Sequence, residues 1–112
     1  MRDPAQPDRR RSPRVMVDVP ARVTIARESL PGRLRDLCRD AALVEVHRDC
    51  PLGSEVTLAF ELPDEEGVVQ VSGEAIRLAP GDGDARAVAV LFRDLQPAAE
   101  GRIEMFLSRE QA

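Results

Sequence analysis

Glu55-Val56-Thr57-Leu58-Ala59-Phe60-Glu61-Leu62 is followed by Pro63-Asp64-Glu65-Glu66-Gly67 and then by Val68-Val69-Gln70-Val71-Ser72-Gly73-Glu74-Ala75-Ile76-Arg77-Leu78. Apolar and polar residues alternate through 55–62, the period-2 pattern of a half-buried strand. The second run, 68–78, repeats that pattern. The five residues between them hold a proline, a glycine and three acids, which reads as a solvated hairpin tip. The stretch is therefore an antiparallel hairpin. Gly73, in the middle of its second arm, suggests a bulge where the sheet coils.

Working outward, the same pattern recurs on both sides. Upstream, Val15, Val17 and Val19 alternate with Met16 and Asp18, and the strand continues over 22–26. Pro20 within it indicates a bulge, a bend or an edge position. Pro31-Gly32 signals a turn. Strands are expected at 33–38 and 42–46, joined by a tight connection, with a loop over 49–54. Downstream, 79–85 reads as a turn and 86–92 as a sixth strand. Pro97 sits where a first helical residue would. Ala99, Ile103, Phe106 and Leu107 then fall on one helical stripe, so a closing helix over 97–109 is expected to cover an open end of the sheet. Six strands with short connections and one terminal helix predict an all-β fold, a six-stranded antiparallel barrel over 15–93.

Composition agrees with one small domain. The chain has 112 residues, 43% of them apolar, with three Phe and no Trp or Tyr. The core must rest on Val, Leu, Ile and Ala, and stacking of single-stranded nucleic acid on aromatic rings has little support. Residues 1–14 carry five Arg and two Asp, a net +3, whereas the remainder carries eleven Arg and eighteen acids, a net −7. A basic arm on an acidic body does not suit general nucleic-acid binding, which needs a broad positive face. It suits a small anionic ligand held at one spot, or an arm that folds onto its own body. Cys38 and Cys50 form no CxxC pattern and His47 is the single histidine, so neither a metal site nor a disulfide framework is expected. Gly81-Asp82-Gly83-Asp84 lacks the spacing of a calcium loop and reads as a turn. No apolar run reaches membrane-spanning length and no signal peptide opens the chain, so a cytoplasmic protein is expected. Nothing places paired carboxylates around a cleft, so no enzyme is expected.

The densest chemistry lies ahead of the first strand. Arg9-Arg10-Arg11-Ser12-Pro13-Arg14 places four arginines in six residues, after a polar, proline-bearing leader over 1–8 that reads as disordered. The guanidinium fork matches phosphate oxygens and the Hoogsteen edge of guanine, each bidentately. From composition alone, a solvated basic tail is the simpler reading of the arm.

The arm, the six strands and the closing helix together resemble a PilZ domain, the bacterial receptor module for cyclic di-GMP, over residues 9–108. The resemblance rests on two motifs. An Arg-x3-Arg arm before the first strand is matched by Arg10 and Arg14, with Arg11 between them. An Asp/Asn-x-Ser-x-x-Gly motif is met by Asp36-Leu37-Cys38-Arg39-Asp40-Ala41, where Cys38 replaces the serine and Ala41 the glycine. The resemblance implies no cofactor but a ligand, cyclic di-GMP, held by Arg10, Arg11, Arg14, Asp36, Cys38 and Ala41. Arginines would fork onto phosphates or guanine, and Asp36 would accept from guanine N1–H and N2–H₂. A thiol is a weak donor beside a hydroxyl, which costs about 1 kcal/mol. Alanine would cost on the order of 1 kcal/mol more if the position requires positive φ, and its methyl would crowd the ligand. The resemblance further implies an adaptor, monomeric or weakly dimeric, that acts on a separate effector protein. The alternative it leaves open is a degenerate scaffold that binds a partner constitutively without the ligand.

Overall fold

A computed structural model describes residues 14–111, with the side chains of 14–110. Six strands, β1 (Val15–Ile25), β2 (Glu28–Leu37), β3 (Ala41–Val46), β4 (Glu55–Glu61), β5 (Val68–Pro80) and β6 (Arg86–Arg93), precede one helix, α1 (Pro97–Gln111). All neighbouring strands run antiparallel, and the sheet closes on itself in the order β1-β2-β3-β6-β5-β4. Closure leaves no free sheet edge around the barrel.

The inward positions supply the core. Val23 and Ile25 of β1, Leu34 and Leu37 of β2, Val44 and Val46 of β3, and Val56 and Leu58 of β4 are all buried. The anticipated helical stripe of Ala99, Ile103, Phe106 and Leu107 joins the same core. Pro97 is the first residue of α1, and the Glu100 N–H donates to the Gln96 carbonyl at 2.8 Å, the first turn of the helix. Arg102 fastens the helix by donating to the carbonyls of Val68, Glu66 and Gly67 and to Glu65. Arg109 also grips Glu65. The acidic tip over 63–67 is thus a docking point for α1 and not simply solvated: the Glu65 carboxylate is drawn in by two guanidinium groups.

Three local expectations need correction. The turn between β1 and β2 falls at Ala26 and Arg27, with φ of 52° and 70°, and not at Pro31-Gly32. Both latter residues lie inside β2. Pro31 is tolerated because β2 pairs with β3 only from Arg33 onward, so its missing N–H faces no partner strand. Gly32 is there for space: a Cβ would stand 2.7 Å from the Glu45 carbonyl oxygen. Gly73 follows the same logic. It pairs in register with Val56 and Phe92, and a Cβ there would lie 2.2 Å from the Leu91 oxygen. The bulge of β5 comes later, between Ala75 and Arg77. Finally, β5 runs on to Pro80, so the turn before β6 is shorter than expected; it is closed by the Gly81 N–H to Ala85 carbonyl and Ala85 N–H to Asp82 carbonyl bonds.

A buried carboxylate beside the arginine arm

The β2 ladder is interrupted where the second motif begins. Between Leu34 and Asp36 the pairing with β3 slips by one residue. Such a bulge sets two residues against one and turns both to the same side. Leu34 and Leu37 point into the core, while Arg35 and Asp36 both reach the outer face, where Arg35 meets Glu45 and Asp36 meets Arg14. Asp36 pairs across to Met16 of β1 and Leu43 of β3, Leu43 to Ala89 of β6, and Ala89 to Arg77 of β5. These five residues form one transverse row on the outside of the barrel. Two further slips, between Met16 and Val19 in β1 and between Ala75 and Arg77 in β5, flank the ends of that row.

Asp36 is the one buried charged side chain among the described residues, 6% exposed. Burial pushes its carboxyl above the usual 3.8, against the pull of the Arg14 and Arg77 cations and a hydrogen bond from the Leu43 N–H. The Arg14 guanidinium lies at the rim, Nη1 3.9 Å from the Asp36 Oδ2, and is itself well exposed. This is a loose ion pair, worth at most about 1 kcal/mol. The arrangement therefore keeps an acceptor, desolvated but not saturated, next to a cation that can turn toward another anion.

The other expected site residues follow from the hairpin between β2 and β3. Cys38 is half-buried with a free thiol, and its N–H donates to the Ala41 carbonyl at 2.9 Å. Ala41 opens β3, paired with Leu91, on the same outward side as Leu43. It does not take a positive φ; among the described residues the non-glycine positions that do are Ala26, Arg27, Asp64 and Asp94. The backbone cost anticipated for alanine at this position is therefore absent, and what remains is the volume of its methyl. Arg10 and Arg11, with the leader over 1–8, lie outside the described residues. His47 is exposed, and no cluster of metal-binding side chains occurs among the described residues.

Arg77 was not singled out from the sequence. In a plain alternation, an arginine between Ile76 and Leu78 is an ordinary outward residue. Its relation to Asp36 depends on strand order and on the β5 slip, and neither leaves a mark in the local pattern.

A small closed barrel with a capping helix, presenting a desolvated carboxylate and an arginine where the N-terminal arm joins it, defines the class. The sequence matches the PilZ domain family over residues 8–109, and the chain belongs to that family. Among solved structures it is similar to the inhibitor of motility MotI/DgrA of Bacillus subtilis, with a TM-score of 0.73 and 16% identity over 91% of this chain; it spans about half, 51%, of that one. It is similar to the PilZ domain of YcgR from Escherichia coli with c-di-GMP, with a TM-score of 0.70 and 17% identity, covering 92% of each chain. The PilZ domain of CeSA from a cellulose-synthesizing bacterium gives a TM-score of 0.63 at 18% identity, covering 90% of this chain and all, 100%, of that one. At these identities the likeness is one of fold. No curated protein matches the sequence significantly. No helix among the described residues is long and apolar enough to cross a membrane.

Proposed function

We propose that this chain is a cyclic di-GMP receptor, binding the dinucleotide through Arg10, Arg11, Arg14, Asp36, Cys38 and Ala41, and regulating a separate effector protein in the cytoplasm without catalysis of its own. The observation that carries this reading is the pairing of the exposed Arg14 with the buried Asp36 on the outer face. Guanine offers N1–H and N2–H₂ to a carboxylate, and the phosphates offer oxygens to guanidinium groups. Arg14 gives up little when it leaves Asp36 for a phosphate, because the ion pair is long and exposed. The family and the c-di-GMP held by the YcgR PilZ domain support the same ligand. Closure of the arm over the dinucleotide would alter the barrel surface that an effector meets.

Cys38 favours a second reading, a PilZ scaffold that binds its partner constitutively, because a thiol donates poorly to a phosphate. Titration calorimetry with cyclic di-GMP separates the two. The receptor reading expects saturable heat from the wild-type chain that is lost in an Arg10→Ala/Arg14→Ala variant, and about fivefold tighter binding in Cys38→Ser, the equivalent of about 1 kcal/mol. A flat wild-type titration supports the scaffold instead.

A further inference from the structure

α1 turns Ala99, Ile103, Phe106 and Leu107 into the barrel, so its opposite face looks outward. The helical repeat puts Ala98, Gly101, Met105 and Ser108 on that face, all exposed and all uncharged. A helix on the surface of a globular protein ordinarily sets charged and polar side chains there. Met105 is instead a large apolar side chain left 68% exposed. Glycine weakens a helix interior, and the chain's own packing does not require one at 101: a Cβ there would meet nothing of the other described residues within 4 Å. The space beside Gly101 is open to the approach of another molecule.

Charges flank this face and are sorted by sign. Glu104 lies along one side, Arg102 and Arg109 along the other. In heptad terms Ala98 and Met105 are a, Gly101 and Ser108 are d, Arg102 and Arg109 are e, and Glu104 is g. When two such helices run parallel, g of one lies beside the following e of the other, so Glu104 meets Arg109 of the second copy, twice by symmetry. An antiparallel pair would set arginine beside arginine, and like charges so placed repel. The helix therefore carries both halves of its own complement. Glu104 also holds Arg39, and Arg109 holds Glu65, yet their side chains remain 46% and 54% exposed with hydrogen-bonding capacity to spare.

We infer that this face of α1 pairs with the same face of a second copy of the chain, the two helices running parallel about a two-fold axis. Met105 of each copy enters the hole bounded by Gly101, Glu104, Met105 and Ser108 of the other, and the Gly101 layer lets the helix axes come close enough for it to do so. The barrel core and the Arg102 contacts already hold the helix in shape, so association has no folding to drive. So short a seam makes a small interface, and the dimer is weak and concentration-dependent. The face shares no residue with the candidate cyclic di-GMP site, so the inference stands or falls apart from that reading.

The test is sedimentation equilibrium of the full chain between roughly 10 µM and 1 mM, with the melting of each variant measured alongside. The wild-type chain is expected to pass from monomer to dimer within that range. Met105→Asp, at an exposed position, is expected to fold as the wild type does and to associate at least about tenfold more weakly. Gly101→Gln is expected to raise the melting temperature, because the helix gains a better former, and to weaken association all the same. Glu104→Arg is expected to weaken the dimer several-fold, and Glu104→Arg/Arg109→Glu to restore it. A chain that stays monomeric throughout, or a dimer indifferent to Met105→Asp and Gly101→Gln, overturns the inference. A dimer that Glu104→Arg leaves unchanged overturns the parallel pairing.

Discussion

β4 and β2 flank the same strand, β1, and are built on opposite plans. β4 alternates strictly, with Val56, Leu58 and Phe60 inward, and its ladders to β1 and β5 run without a slip. β2 slips against β3, its ladder with β1 slips as well, and it turns two consecutive charged residues, Arg35 and Asp36, to the outer face. The regular strand contributes apolar area to the core. The irregular one buries a carboxylate and gives up regular pairing to do so. Bulges concentrate where a side chain must be re-aimed, and here they border one row of outer-face residues that includes Asp36 and Arg77. The two sides of β1 differ in kind: both bury apolar side chains, and the β2 side also carries the buried carboxylate beside Arg14.

The sharpest break in this comparison is expected on the β4 side. Leu58 is fully buried in the core, so Leu58→Ala should lower the unfolding free energy by about 2–5 kcal/mol in urea titrations. The molecules still folded should bind cyclic di-GMP as the wild type does. A loss under about 1 kcal/mol would mean that β4 is not the structural half of the molecule.

A smaller effect follows from the charge state of Asp36. Its carboxyl is raised in the folded protein by burial. Between the usual value of 3.8 and the raised one, the folded chain binds more protons than the unfolded chain. Stability from this group is therefore present below 3.8 and is lost as pH rises through the folded value. Ligand affinity should move the other way, rising with pH through the same window, because only the ionised carboxylate is purely an acceptor. Asp18 runs opposite in sign for stability: a hydrogen bond from Arg33 lowers its carboxyl, so its contribution is lost as pH falls. The informative quantity is thus the difference between wild type and Asp36→Ala across the acidic range, in both melting and calorimetry. Parallel pH profiles for the two chains would remove the titrating role given to Asp36.

The same contrast explains what could be read from the sequence. The β4–β5 hairpin, the presence of six strands and the helical stripe of Ala99, Ile103, Phe106 and Leu107 were legible because burial imposes a period on strands such as β4 and on the helix. Pro31-Gly32 misled because proline and glycine mark turns in general; here they meet a stretch with no β3 partner and a close backbone approach. The actual turn, Ala26-Arg27, carries no turn chemistry and is set by the strands it joins. At the candidate site, Asp36 was legible through its motif and Arg14 through its place in the arm, and the structure brings the two together. The nearness of Arg77 to Asp36 and the β2 bulge were not, because they depend on strand order and register, which are properties of the closed sheet and not of any local run.

The most direct test of the division between the two sides of β1 is Asp36→Ala, measured by urea unfolding at neutral pH and by cyclic di-GMP titration on the same preparation. The expected result is stability within about 1 kcal/mol of wild type, since the charge that burial disfavours is gone, together with affinity weaker by roughly 10- to 150-fold, the equivalent of about 1.5–3 kcal/mol for a hydrogen bond to a charged group. A variant that loses several kcal/mol of stability while binding cyclic di-GMP as tightly as the wild type would show Asp36 to be a structural residue and contradict the account.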